Sequence, residues 1–350
     1  MKINIEERVL HFKQPAGTSR GVYTQRHIWL VTASDGSAIG VGECAPLPDL
    51  SCDAMTAQCY AEVLRGFCAK VEQTGKIPYE DMRDYPSMLF GLETALLALK
   101  NDSEETRRWG RQLLYSNPFA MGTAGIPING LVWMGTFEEM SSRIEQKLNQ
   151  AFRCIKLKIG AIDFDAELEL IKKIRRRFSH HEVELRVDAN GAFPYDEALY
   201  KLEQLSQYAL HSIEQPIKAG QWAYMAELCR ESPLPIALDE ELIGINDPDQ
   251  KRQMLNIIRP AYIILKPSLH GGMSGCREWI ETADDMQIGS WITSALESNI
   301  GLNVIAQFAA DVYGSNITMP QGLGTGQLFT DNFPSPFEFR GDQLWISRPF

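Results

Sequence analysis

The sequence predicts an α/β fold: a closed barrel of parallel strands wrapped by helices, with a smaller α+β capping domain in front of it. Three observations carry that expectation. From residue 126 onward, short apolar strands that end in a polar residue alternate with amphipathic helical stretches. Parallel strands joined by crossovers require that alternation. The theme recurs eight times in roughly 200 residues, which fits a closed barrel. No glycine fingerprint follows an early strand, which weakens the alternative of an open, doubly wound dinucleotide-binding sheet.

The elements follow in chain order. Residues 1–50 read as an antiparallel sheet, with strand, turn and strand in "RHIWLVTASDGSAIGVGEC" before the Pro-rich loop "APLPDL". Residues 53–75 and 86–100 read as helices, and "MLFGLETALLAL" places apolar side chains at helical spacing. "GTAGIP" at 122–127 reads as a connector. The eight strands are "IPINGLVWMG", "CIKLKIG", "VELRVDAN", "HSIEQPI", "PIALDEEL", "YIILKPS", "GSWITSAL" and "NITMPQG". The tail, "FEFRGDQLWISRPF", alternates again and reads as a return to the N-terminal sheet. The expected division is therefore a capping domain over 1–105, completed by 327–350, and a barrel over 106–326.

Composition narrows the function class. The 350 residues carry a net charge of −11, which disfavours a nucleic-acid partner. No run approaches the roughly 20 apolar residues of a membrane span, and the alternating N-terminus lacks the apolar stretch of a signal peptide. Seven cysteines stand scattered, without a CxxC pair or a Cys/His cluster. That pattern suits reduced thiols in a cytoplasm and argues against a zinc site. The chain reads as a cytoplasmic enzyme acting on a small molecule. A homo-oligomer stays open.

The chemistry lies at the strand ends. Active-site groups of such barrels sit at the C-terminal ends of the strands. Asp188 ("LRVDANGAF"), Glu214 ("SIEQPI"), Asp239 ("IALDEEL") and Lys266 ("YIILKPS") recur every 25–27 residues, one per repeat. Three adjacent strands thus each offer a carboxylate and the fourth a lysine. Any one of these acids alone is better read as a helix cap or a solvated loop carboxylate. Three in phase repel one another unless a cation lies among them. Oxygen ligands select a hard ion, Mg²⁺ before Mn²⁺.

Lys156 and Lys158 precede Asp188 on the "IKLKIG" strand, where alternation puts both ammonium groups on one face. A partly desolvated lysine beside a second ammonium has a lowered pKa and can serve as a base near neutral pH. Lys158, nearer the strand end, is the expected base. Lys156 would hold a substrate carboxylate, and Lys266 would face both. This suits abstraction of a proton α to a carboxylate, whose dianionic product needs cationic and hydrogen-bonding support.

The motifs "KLK", "VDAN", "EQP", "LDE" and "LKPS" resemble the strand-by-strand pattern of the muconate-lactonizing subgroup of the enolase superfamily. Enolase-superfamily sites use a lysine or histidine base with Mg²⁺. The resemblance covers nearly the whole chain and implies a capping domain followed by a (β/α)7β barrel. It implies Asp188, Glu214 and Asp239 as Mg²⁺ ligands (Mn²⁺ as a substitute), with Lys158 and Lys266 as the catalytic lysines on the second and sixth strands. Asn190 and Glu240 resemble residues standing behind the ligands. Within the subgroup, "GVGECAPLPDLS", "SALESNIGL" and "GLGTGQLF" resemble the o-succinylbenzoate synthase family. That likeness implies syn-dehydration of 2-succinyl-6-hydroxy-2,4-cyclohexadiene-1-carboxylate in menaquinone synthesis, through a metal-stabilised enediolate. N-succinylamino acid racemisation uses the same two lysines and is the nearest rival. Dipeptide epimerisation is weakened, because "NITMPQGLGTG" holds no acidic DxD, while muconate cycloisomerisation stays open on these residues.

Further candidates are Arg186, Ser294 and Glu297 for substrate contact. Arg186 reads equally well as an ion-pair partner inside the barrel. Trp133 either walls the pocket or fills the core. His211 and His270 read as structural histidines. Specificity is expected in the capping loops around 18–26 and 44–55.

Overall fold

The protein is described here by a computed structural model covering residues 1–18, 21–104, 112–314 and 316–347. The expected boundary at 105–106 and part of the capping loop at 18–26 lie outside the described residues.

β1 (Lys2–Thr18) and β2 (Gly21–Ser34) pair antiparallel, and β3 (Ile39–Cys44) pairs with β2. The turn into β3 is tied by Asp35, whose carboxylate accepts from the amides of Ser37 and Ala38. Two long helices pack behind this sheet. The sequence predicts the first from residue 53, but α1 spans Ala57–Thr74 because the Thr56 hydroxyl caps the amide of Cys59. The expected second helix is α3 (Pro86–Lys100), which follows the short α2 (Tyr79–Met82). The glycines of "GVGEC" have a packing reason. A Cβ on Gly42 would lie 1.8 Å from the carbonyl oxygen of Gly91, so strand and helix backbones meet directly.

The barrel strands are β5 (Gly130–Val132), β6 (Cys154–Lys158), β7 (Glu184–Asp188), β8 (Ser212–Glu214), β9 (Ile236–Leu238), β10 (Tyr262–Leu265) and β11 (Gly289–Ile292). They form one seven-stranded sheet in sequential order, and every neighbouring pair is parallel. Helices α4 (Phe137–Asn149), α5 (Phe164–Arg175), α6 (Tyr195–Ser206), α7 (Trp222–Glu231), α8 (Pro248–Ile258), α9 (Gly272–Asp285) and α10 (Asn299–Tyr313) provide the crossovers and the cover. Leu157, Val187, Ile213 and Leu238 belong to the main apolar core that the helices seal. Their strand neighbours Lys156, Lys158, Arg186 and Asp188 take the other face, as pleating requires.

The eighth strand is shorter than "NITMPQG" suggests. Only Gln321 and Gly322 bridge, to Ile128 on one side and Thr293 on the other. Gln321 exchanges backbone hydrogen bonds with Pro127 and Asn129, and Gly322 with Ile292 and Ser294. Two residues therefore close the barrel.

The tail divides. Leu328 and Thr330 bond to the backbone of Lys13 and His11 in β1. The hairpin of β12 (Phe337–Arg340) and β13 (Gln343–Ile346) instead pairs with β4 (Ile126–Pro127) at the barrel entrance. The hairpin thus departs from the expected return to the N-terminal sheet: Leu344 and Ile346 are buried in the barrel's own apolar core.

Candidate active site

Register brings the charged residues to one height. Lys158 lies opposite Asp188, and Asp188 opposite Glu214. Asp239 follows the last residue of β9, and Lys266 follows β10. All three carboxylates are buried, with Asp188 and Asp239 at 0% exposure.

The lysines lie on the carboxylates. Lys156 Nζ is 2.7 Å from Asp188 Oδ2 and also bonds Glu214 Oε2. Lys158 Nζ donates to the same Asp188 Oδ2 at 2.6 Å and to Asn190 Oδ1 at 2.7 Å. Lys266 Nζ donates to Asp239 Oδ2. This changes the expected electrostatics. The two lysines of β6 do not simply repel, because one carboxylate oxygen stands between them. Burial alone would lower the Lys156 pKa, but Asp188 and Glu214 outweigh it and hold the ammonium above its ordinary value. Lys266 is raised against burial by Asp239 in the same way. Asp188 and Asp239 are held low by these lysines despite their burial. Glu214, pushed up by burial and then by the charge of Asp188, is the strained member.

The donor set fits a hard cation. Glu214 Oε1 and Asp239 Oδ1 are buried and accept no hydrogen bond, a costly state for carboxylate oxygens. Among the described residues, no three of His, Cys, Asp and Glu are gathered tightly enough to cage an ion as they stand. The ammonium of Lys156 bridges two of the three carboxylates instead.

Above the carboxylates opens a cleft lined by Lys156, Lys158, Asn190 and Lys266 and by residues from both domains. Trp133 walls it, as do Ser294, Leu47 and Leu50. Asn190 is closer to the chemistry than expected. It has φ of 44°, and it touches Lys158 directly while its amide donates to Glu240 Oε1 at 2.8 Å.

Two of the substrate-contact candidates are turned away. Arg186 bonds Glu184 at 2.7 Å and the carbonyl of Pro320 at 3.0 Å, beneath the mouth. Glu297 accepts from Ser268 Oγ and from the amide of Ala295, both at 2.6 Å. It fixes the loop after β11 from behind and does not line the cleft. Ser294 does line it, and its hydroxyl pairs with Thr325 at 2.5 Å. Sequence reasoning missed Thr325 and Tyr23, which approach the cleft from segments far apart in the chain. His270 is buried, with its pKa lowered to about 3 by desolvation, and its Nδ1 accepts from the Lys266 amide at 2.9 Å. It is a neutral brace for the sixth-strand turn. His211 stacks on Tyr262, with ring centroids 4.9 Å apart.

Comparison with known proteins meets this geometry. Residues 139–348 match the family described as enolase C-terminal domain-like, and residues 18–99 match the MenC N-terminal domain. The chain is 45% identical to an o-succinylbenzoate synthase of Desulfotalea psychrophila, over 99% of both chains. The chain belongs to the o-succinylbenzoate synthase family. The fold of that family's member from the same organism, a crystal structure of MenC, superposes with a TM-score of 0.81 at 40% identity over 99% of both chains. The L-Ala-D/L-Glu epimerase of Bacillus subtilis is 25% identical over 93% of this chain and 88% of its own. Its substrate-liganded structure superposes at 0.79 with 21% identity over 99% of this chain and 97% of its own, which shows shared fold. The o-succinylbenzoate synthase family lies within the enolase superfamily, whose members use a divalent metal. Among the described residues no helix is long and apolar enough to cross a membrane.

Proposed function

We propose that this chain is a Mg²⁺-dependent lyase that dehydrates 2-succinyl-6-hydroxy-2,4-cyclohexadiene-1-carboxylate to o-succinylbenzoate, a step of menaquinone synthesis. The observation that carries this reading is full-length identity of 45% to an o-succinylbenzoate synthase, and the strand-end lysines and carboxylates support it. The chain divides, on this reading, into a capping domain over 1–105 and a catalytic barrel over 106–326, with the tail shared: Leu328 and Thr330 return to β1, and the β12–β13 hairpin seats on β4. Catalysis takes place in the cytoplasm.

Asp188, Glu214 and Asp239 would hold the cation. When bound, Mg²⁺ supplies positive charge against the negative charge that builds on the substrate carboxylate. Asp188 and Glu214, which would hold the cation, are also the carboxylates that Lys156 and Lys158 bond. Lys158 Nζ then removes the proton α to the carboxylate, with Asn190 fixing its direction. The same nitrogen, now an ammonium, protonates the departing hydroxyl, and the ring becomes aromatic. One base on one face gives the syn outcome. Lys266 faces the ring from the other side and stabilises its negative charge by cation–π attraction. Lys156 orients the carboxylate. Glu240 steadies Asn190.

The test is turnover of the cyclohexadiene carboxylate with Mg²⁺ and with EDTA, by wild type and Lys158→Ala. Metal-dependent dehydration that is lost in the variant is expected. Proton exchange on an N-succinylamino acid without any dehydration would move the assignment to racemisation. Dehydration indifferent to EDTA would sink the role of the cation.

A further inference from the structure

The loops that wall the cleft come from two domains, and one buried side chain holds both. Arg26 lies on β2 at 2% exposure. Its guanidinium donates to the carbonyls of Ala45 and Pro46 in the loop after β3. It also donates to Ala295 at 3.2 Å and Leu296 at 3.3 Å in the loop after β11. A guanidinium can do this because it carries five N–H donors in a fixed plane.

The acceptors are not scattered scaffold atoms. Leu47 follows Pro46 by one residue and lines the cleft, and Ala295 and Leu296 line it themselves. Leu296 has φ of 65°. A branched residue keeps such a conformation only when its surroundings impose it. The amide side of the same barrel loop is held separately. Glu297 takes the Ala295 amide, and Glu43 takes the amides of Ser298 and Gly301. Burial lowers the Arg26 pKa from its ordinary value, and the charges of Glu297 and Glu43 partly oppose that. The loop is thus gripped on its carbonyls by a guanidinium and on its amides by two carboxyl groups.

We propose that Arg26 is a positioning residue of the reaction site: it fixes the capping loop at 45–50 over the barrel mouth and sets the shape of the substrate wall made by Leu47, Leu50, Ala295 and Leu296. It touches no reacting atom. Tyr23, three residues earlier on β2, adds an outer tie by donating to Asp49 at 2.5 Å. That bond is exposed to water and contributes less.

This inference rests on the cleft being the dehydration site. The experiment therefore has one arm that depends on turnover and one that does not. Arg26→Met, Arg26→Lys and Tyr23→Phe are compared with wild type for kcat and KM on the cyclohexadiene carboxylate. Amide hydrogen exchange is followed at 44–50 and 294–297. Arg26→Met is expected to raise KM about tenfold or more, with kcat changed less than about threefold, the signature of lost binding shared by ground and transition states. Exchange should rise in both loops together and stay unchanged in α3. Arg26→Lys keeps the charge but reaches fewer carbonyls, so it should fall between. Should Arg26→Met fail to fold, Arg26→Lys decides. An unchanged KM, with activity falling only in step with the folded fraction, would overturn the proposal. So would exchange that rises in neither loop or in one alone. If wild type shows no dehydration, the functional reading fails and the exchange arm judges Arg26 by itself.

Discussion

Arg186 and Asp188 sit two residues apart on one face of β7, yet they belong to different sites. Arg186 is at the floor of the barrel. It pairs with Glu184, donates to Pro320 and lies over the Trp291 ring at 4.4 Å. There the guanidinium is buried and bonded, and its carboxylate partner reaches part-way to water. Asp188 is at the mouth, where lysines and carboxylates crowd together and two carboxylate oxygens nearby go without a donor. The floor resembles an ordinary buried ion pair, complete in itself. The mouth is complete only with a further charge. Chemical type does not separate the two regions, since both are built of buried opposite charges. What separates them is whether the hydrogen bonding closes.

The comparison can be broken by removing one cation from each region. At the mouth, Lys158→Ala should lower kcat on the order of 10⁴-fold while leaving the melting temperature within a few degrees, because a proton-transfer group is lost. Equal losses of stability and activity would make Lys158 structural.

A buried carboxyl from neither region sharpens the point. Glu93 of α3 accepts from the amides of Met273 and Ser274, at 2.6 and 3.1 Å, and the charge of Arg277 is only a minor counterweight to its burial. Desolvation raises its pKa from 4.5 to about 7, whereas the lysines hold Asp188 and Asp239 low. Between those values the folded protein keeps a proton that the unfolded chain has lost. Stability should therefore fall as pH rises from 4.5 to 7 and level off above, by about 3 kcal/mol. Glu93→Gln should lack this contribution, which denaturant titration of both proteins across that range would measure. Parallel pH profiles would refute it.

At the floor, Arg186→Met should cost about 2–3 kcal/mol, read as a shift in urea midpoint. That is below the usual loss for a broken buried pair, since Glu184 keeps some water. Its kcat per folded molecule should stay near wild type. A thousandfold loss of kcat in the folded variant would return Arg186 to the active site. The smallest effect is expected for Thr325→Val, which removes the partner of Ser294 at the cleft wall. It should change KM by less than about threefold, measured under the same conditions.

Much of this site is written in the sequence because its rules are local. Alternation along a strand puts Lys156 and Lys158 on one face, and the repeat spacing puts Asp188, Glu214 and Asp239 on neighbouring strands at one height. Depth is not local. Nothing in "ELRVD" says that the Arg186 side chain runs down to Pro320 while Asp188 stays at the mouth. Nor does "SALES" show that Glu297 turns back to Ser268. Spacing also could not reveal that one oxygen of Asp188 would stand between Lys156 and Lys158, or that Asp188 and Glu214 would hold Lys156 above its ordinary pKa.

Sequence by itself determined which elements form, in what order, and which residue types stand at the strand ends, because hydrophobic period and turn chemistry act over a few residues. Tertiary structure alone decided that two residues suffice for the eighth strand, that the C-terminal hairpin seats on the barrel entrance, and that Arg26 joins loops some 250 residues apart. Such contacts depend on where whole elements pack, and packing is settled by the sum of buried surfaces across the molecule, not by any one segment.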